Sequence, residues 1–150
     1  MSIDLTDKLR LAERMTAALA AIPNLVAVAL GGSLARGTHH AGSDIDIGLY
    51  YRAETPFPVD AVRTVARSFA TGSEPVVTGF GEWGPWVNGG AWIETSLCKV
   101  DLLYRDLDQV ERTVREAQAG TWRHDFDQQP PFGFRSVIYL AETAACKPLH

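Results

Sequence analysis

The stretch that decides the fold is LGGSLARG at residues 30–37, followed by SDIDI at residues 43–47. It begins at the end of LVAVAL (residues 25–30), a wholly apolar and partly β-branched run that predicts a buried strand. The Gly-Gly-Ser sequence then predicts a tight turn into a brief helix over 34–36. Glycines let a backbone approach a phosphate, and a helix start directs N–H groups at it. The turn is therefore a candidate phosphate-binding site, with a tight turn that binds no ligand as the alternative.

The second predicted strand, Asp44–Tyr51, alternates strictly between an apolar face and a face that carries two acids. The apolar face fixes the register, because a slip of one residue would put the acids into the core. Asp44 and Asp46 are therefore expected side by side. Neighbouring carboxylates repel, and one takes up a proton unless a cation lies between them. Such oxygen ligands suit Mg²⁺ or Mn²⁺, although a solvated pair at a strand edge is the simpler interpretation of Asp-x-Asp alone.

The combined pattern of glycine turn and Asp-x-Asp strand resembles the signature of the DNA polymerase beta-like nucleotidyltransferase superfamily. Its wording looks closest to the kanamycin-nucleotidyltransferase and minimal-nucleotidyltransferase branches. The resemblance implies an α/β (α+β) fold, with a mixed β-sheet and helices mainly on one face. It also implies a third carboxylate on a later strand, for which Asp101, in the run KVDLLY at 99–104, is the matching candidate.

By that resemblance the chain is a metal-dependent nucleotidyltransferase that uses an NTP such as ATP. It would move a nucleoside monophosphate to an acceptor hydroxyl and release pyrophosphate. Mg²⁺ or Mn²⁺ would be the cofactor, held by the catalytic carboxylates Asp44, Asp46 and Asp101. Asp101, or another acid, would take the proton of the acceptor. The residues expected to bind the nucleotide are Gly31, Gly32, Ser33, Arg36 and Ser43.

Two other functions compete with this interpretation. The first keeps the fold without catalysis: a silent nucleotide-binding sensor, or an antitoxin-like partner of a helical protein. The second is another Asp-x-Asp enzyme, such as a nucleotide-sugar glycosyltransferase or an aspartyl-phosphate hydrolase. The hydrolase requires Thr or Val two residues after its second Asp, where this chain has Gly48. A Walker A loop is excluded, because no lysine follows the glycines.

The rest of the pattern predicts a catalytic domain over 1–120, followed over 121–150 by a loop and the start of a C-terminal helical region. Strand 25–30 is expected to be central, with the strands at 44–51 and 99–105 beside it. Further elements are predicted from periodicity and turn residues: helices over 5–21, 59–70 and 107–119, a last helix over 133–146, a short strand at 76–77, and a hairpin of 92–95 with 99–105.

The last predicted helix, 133–146, carries an apolar stripe that needs burial. The stripe is formed by Phe134, Val137, Ile138, Ala141 and Ala145. Either it packs on the sheet of this domain, or it meets a partner or residues beyond those given. We favour burial outside this domain, either by residues beyond those given or by a partner such as a second copy of the chain or a helical protein.

Bulk composition sets broader limits on function. With 150 residues, 46% of them hydrophobic and 21% charged, the sequence is typical of a globular domain. The net charge of −4 argues against broad binding of nucleic acid, which needs a positive surface. Cys98 and Cys146 fit neither a disulfide framework nor a zinc site. Together with the absence of a signal-peptide pattern or a long apolar run, they predict a cytoplasmic protein with reduced thiols and no membrane partner. The acceptor, a small molecule or a protein, is not identified by the sequence.

Overall fold

A six-stranded mixed sheet organises the computed structural model, which describes residues 5–150. The strands of this sheet are β1 (Leu25–Leu30), β2 (Ile45–Tyr51), β3 (Val76–Val77), β4 (Gly90–Glu94), β5 (Lys99–Asp106) and β8 (Lys147–Pro148). Two further strands, β6 (His124–Asp125) and β7 (Phe134–Arg135), form a separate small ladder. The helices are α1 (Leu5–Leu19), α2 (Gly32–Arg36), α3 (Val59–Phe69), α4 (Leu107–Gln118) and α5 (Ser136–Ala145). The predicted fold class is confirmed.

The strand order is β3-β4-β5-β2-β1-β8, with β2 parallel to β5 and the other neighbours antiparallel. The prediction that strand 25–30 is central, with both acid-bearing strands beside it, was wrong. Strand β2 lies between β1 and β5, and β1 is next to the edge strand β8. The physical reason is burial: β2 is buried along almost its whole length, so its backbone N–H and C=O groups need a hydrogen-bonding strand on each side.

The main core lies on the face of the sheet covered by α1 and α3. The β2 residues Ile45, Ile47 and Leu49 are fully buried there, as the alternating pattern predicts. The other face is covered only in part. Near the far end of β2, a smaller cluster packs Tyr50 against Tyr139 of α5 and Phe134 of β7. The part left open on this second face is where the acids of β2 and β5 lie.

Most element boundaries agree with the sequence to within one or two residues. Asp106 caps the start of α4, since its Oδ1 accepts the N–H of Asp108 at 2.9 Å. The predicted short strand at 76–77 and the hairpin partners around 92–95 and 99–105 are also present.

The face assigned to the last helix was wrong in part. Helix α5 begins at Ser136, and Phe134 belongs to β7, so the helical phase does not start at Phe134. Phe134 and Tyr139 are buried within the domain, whereas Val137 and Ile138 are about half exposed. Of the predicted stripe, Val137, Ile138 and Ala141 are exposed, so these residues are the ones left for a partner. Residues 147–148 pair with β1, so the final segment is joined to the main sheet.

Candidate active site

Asp46 and Asp101 are direct neighbours across the parallel pair of β2 and β5. Their Cα atoms are partners in the ladder, so both side chains point to the same face of the sheet. Asp46 and Asp101 are half buried. Asp44 comes one residue before β2 and is exposed. The structure thus places Asp46 and Asp101 on neighbouring strands at the same level of the sheet. Asp44 lies just before the start of β2.

The three acids influence one another electrostatically. Burial raises the pKa of Asp46, and the negative charge of Asp44 raises it further, while Arg36 and Arg105 oppose the rise. Burial also raises the pKa of Asp101 to about 6, with added repulsion from Asp46 and then Asp44. This repulsion is what neighbouring carboxylates show in the absence of a compensating cation. The site therefore favours binding of positive charge.

The glycine turn lies against the second carboxylate. Gly31 donates its N–H to the Asp46 carbonyl at 2.8 Å, so this N–H is already used inside the protein. Gly32 has a φ of +58°, and a methyl group built there would collide with the Asp46 carboxylate. The first intrahelical bond of α2 runs from Ala35 N–H to Gly31 carbonyl at 3.1 Å. Helix geometry therefore leaves the N–H groups of Gly32 and Ser33 without acceptors in their own helix.

Asp46 and the glycine turn open into one cavity of about 270 Å³, which we call the arginine cavity. Its walls come from β1, α2, β2, β5 and α5. Arg36, which is exposed, lines the cavity together with Arg105 and Glu142. The sequence had suggested Arg36 but not Arg105 or Glu142. Arg105 is four residues after Asp101 on β5, so it shares a face with that acid, a signal that the strand periodicity could have provided.

A second cavity, of about 370 Å³, is lined by Asp44 and Asp101. Trp92 also lines it and is about half exposed, with its ring stacked on Trp83 at 4.8 Å between centroids. Trp92 is the ladder partner of Asp101 on β4. We call this space the tryptophan cavity. The three predicted acids thus face two neighbouring cavities rather than one.

Ser43 occupies a different environment from the one expected of a nucleotide ligand. It is buried, and its hydroxyl accepts the N–H of His40 at 2.9 Å. The carbonyls of Ser43 and Ala41 both accept hydrogen bonds from the Nζ of Lys8, a buried lysine on α1. These bonds fix the loop that leads into Asp44. Sequence reasoning missed Lys8, although its spacing from Ala12 and Met15 places it on the buried face of α1.

The donor set suits a hard cation that keeps some of its bonds for substrate. Between residues 5 and 150, no three His, Cys, Asp or Glu side chains form a cluster that would hold a metal ion by itself. Mg²⁺ does not require one, because it is commonly bound through one or two carboxylates, water and substrate phosphates. The adjacent Asp46 and Asp101, with their raised pKa values, match that type of site.

One known family has a model that matches the part of the chain with the glycine turn and the first two acids. The model of the nucleotidyltransferase domain family matches residues 14–76, from α1 to the start of β3. This stretch of the chain, which includes β1 and β2, is therefore similar to the nucleotidyltransferase domain family. This agrees with the DNA polymerase beta-like superfamily that the sequence pattern resembles. The match includes the glycine turn, Asp44 and Asp46, whereas Asp101 and Arg105 lie beyond it. No curated protein is similar enough to the chain to count as a match.

The match to the nucleotidyltransferase domain supports a general role in nucleotidyl transfer. Over the described residues, 5–150, every helix is too short or too polar to cross a membrane.

Proposed function

We propose that this nucleotidyltransferase domain transfers a nucleoside monophosphate from an NTP to an acceptor hydroxyl, with Mg²⁺ or Mn²⁺ and with release of pyrophosphate. The observation that carries the proposal is the pairing of Asp46 with Asp101 in register, beside a glycine turn that packs on Asp46. Asp44 supplies the third carboxylate. The combination is more specific than Asp-x-Asp alone, because the family match and the strand register are independent of each other.

The NTP phosphates would occupy the arginine cavity. Gly32 and Ser33 would donate backbone N–H groups to phosphate oxygens, and Arg36 would add a charged donor from the end of α2. Gly31 would act through its bond to the Asp46 carbonyl, which holds the turn close to β2. Ser43 would act in the same indirect way, by fixing the loop before Asp44.

The acceptor would enter through the tryptophan cavity, where Asp101 faces it. In the metal-free protein burial raises the pKa of Asp101 to about 6, so this carboxylate is mostly ionised at neutral pH and able to accept a proton. Asp101 would take the proton of the acceptor hydroxyl, and the oxygen would then form a bond to the α-phosphorus. The bond to the leaving pyrophosphate breaks in the same in-line displacement. A bound Mg²⁺ would supply charge neutralisation and a lower pKa for that hydroxyl.

The experiment is a panel of small-molecule and protein acceptors, incubated with each NTP and Mg²⁺ and analysed by mass spectrometry. We expect one acceptor to gain the mass of a nucleoside monophosphate. The product should be lost in Asp46→Asn and Asp101→Asn. Asp108→Asn is the matched control, because Asp108 is an acid that pairs with Arg52 away from both cavities. Binding of Mg²⁺-NTP without transfer to any acceptor would favour the silent sensor instead.

A further inference from the structure

Arg105 is a buried charge whose hydrogen-bonding capacity is only partly used. Its side chain is 7% exposed and is held from one side by α5, where Nη2 lies 2.9 Å from Glu142 Oε2. The guanidinium also lies over the ring of Tyr139, 5.0 Å from its centroid. Nη1 is buried and finds no hydrogen-bond acceptor among the described residues. Leaving such a donor unpaired is costly, more so for a charged group, so the arrangement needs an explanation beyond folding.

The partner that Arg105 does have is easily displaced. The Glu142 side chain is 45% exposed and lies at the rim of the arginine cavity, so it can rotate into solvent without being buried elsewhere. Arg105 itself cannot follow, because β5 and the ring of Tyr139 hold it. An anion that enters the cavity can therefore take the place of Glu142 on a guanidinium that is already in position.

The other walls of the cavity suit the same ligand. Arg36 lines it as well as Arg105, and the glycine turn lets a ligand approach the backbone closely. In the cavity, the negative charges of Asp46 and Glu142 balance the positive charges of the two arginines. When a cation neutralises Asp46 and Glu142 swings away, the cavity becomes positive overall. Guanidinium groups bind phosphate oxygens through paired, charge-assisted hydrogen bonds.

We propose that Arg105 binds the phosphates of the nucleoside triphosphate, and that Glu142 is the carboxylate they displace. This rests on the proposed function, because it names a further substrate-binding residue for the same reaction. Glu142 would then serve two states of the protein. It compensates the buried charge of Arg105 while the cavity is empty, and it competes with the substrate when phosphate arrives.

A purely structural role for Arg105 makes a different forecast, which can be measured. If the pair only fastens α5 to the sheet, removing either partner loosens the helix and weakens binding in the same direction. If Glu142 competes with phosphate, removing its charge strengthens phosphate binding while removing Arg105 weakens it. The two variants therefore separate the explanations by the sign of the effect.

The probe is inorganic tripolyphosphate, titrated calorimetrically into the full chain, first in metal-free buffer and again with Mg²⁺. We expect Arg105→Met to weaken binding about tenfold, the usual effect of losing one charge-assisted contact. Glu142→Gln should bind more tightly than the parent. Arg52→Met is the control, since Arg52 also forms ion pairs with two acids, Asp108 and Glu111, but far from the cavity. It should bind like the parent.

Several results would overturn the proposal. They are an absence of tripolyphosphate binding in the parent, parent-like binding in Arg105→Met, and weaker binding in Glu142→Gln. A nucleoside without phosphates, tested in parallel, would overturn it as well if Arg105→Met lowered its affinity but not that of tripolyphosphate. If Arg105→Met does not fold, the sign for Glu142→Gln decides. Failure of nucleotidyl transfer is recognised separately, because these titrations need no acceptor and no catalysis.

Discussion

Gly32 lies directly against the carboxylate of Asp46, so that any side chain at this position would displace the acid. The neighbouring Gly31 donates its N–H to the backbone carbonyl of the same aspartate at 2.8 Å. The glycine turn and the second acid are therefore one packed unit. A substitution in the turn acts on the proposed metal site as well as on the proposed phosphate site.

Gly32→Ala and Gly37→Ala form a matched pair that tests this unit. Both glycines have positive φ, +58° and +71°, so each substitution should lower the free energy of unfolding by about 1 kcal/mol or more. At Gly37 an added methyl group meets nothing within 4 Å. We therefore expect only Gly32→Ala to weaken binding of Mg²⁺-NTP. Denaturant unfolding and calorimetry measure the two effects, and equal affinities in both variants would contradict the expectation.

The sequence predicted the individual strands well, because their signal is local. The alternation of acids with Ile45, Ile47 and Leu49 predicted both the face and the register of β2, and the structure agrees. The pairing of Asp46 with Asp101 was not available in the same way. It depends on which strands are neighbours and in what register, and 54 residues of chain, 47–100, lie between them.

The place of Arg105 in the candidate site could not be predicted, because it depends on long-range packing. Arg105 appears in the sequence as an ordinary charged residue near the end of a strand, and only α5, folding back over β2 and β5, buries it. The apolar stripe of that helix was misleading for a related reason. Its buried face contains Ser136 and Tyr139, because the packing of Tyr139 on Arg105 and Trp86 outweighs the hydrophobicity of Val137 and Ile138.

The raised pKa of Asp101 predicts a specific dependence of stability on pH. In the folded protein the pKa is about 6, against 3.8 for a free aspartate, so the folded state binds the proton more tightly. Its stabilising contribution is complete below the unfolded value and is lost as pH rises through about 6. Between these values we expect the parent to lose about 1 kcal/mol of unfolding free energy relative to Asp101→Asn, after allowance for solvent screening.

Asp108 provides the contrast for that experiment, because its pKa is shifted the other way. The hydrogen bond from Arg52 lowers it, so its contribution is lost as pH falls. Asp108→Asn should therefore reduce the loss of unfolding free energy that occurs as the pH falls into the acid range. Asp101→Asn should reduce the loss of unfolding free energy that occurs as the pH rises to about 6. Urea unfolding at a series of pH values gives both profiles. A parent and an Asp101→Asn variant with parallel profiles would show that Asp101 has an ordinary pKa.

Lys8 is expected to hold the loop before Asp44 in place. Lys8→Met keeps most of the side-chain length but leaves the carbonyls of Ala41 and Ser43 without this donor. We expect a loss of about 1–3 kcal/mol in unfolding free energy, together with a weaker response to Mg²⁺. Arg10→Met is the control on the same helix, since Arg10 is exposed and lies 3.8 Å from Asp7. A change no larger than that of Arg10→Met would contradict the role given to Lys8.

The partner proposed for the last helix can be tested through its two large exposed apolar residues. Val137 and Ile138 are 45% and 46% exposed and lie next to each other on α5. If a second copy covers them, the double variant Val137→Ser/Ile138→Ser should shift the mass measured by light scattering from dimer to monomer. Val114→Ser on α4, at 38% exposure, is the control and should leave the mass unchanged. If light scattering shows that the parent is a monomer, a second copy of the chain is excluded as the partner.

Thermal melts with and without Mg²⁺ or Mn²⁺ test the metal site most directly. A cation that binds only the folded parent should stabilise it by about 2.7 kcal/mol at a concentration 100 times its Kd. Asp46→Asn removes one proposed metal ligand and one of the repelling charges. The metal-free variant should therefore be no less stable than the parent, while the metal-induced rise in melting temperature disappears. Asp108→Asn should lower the melting temperature of the metal-free protein, because it loses the ion pair with Arg52. It should keep the metal-induced rise in melting temperature. A parent whose melting temperature does not respond to either cation would rule out the proposed metal-dependent reaction, whatever the family of the domain.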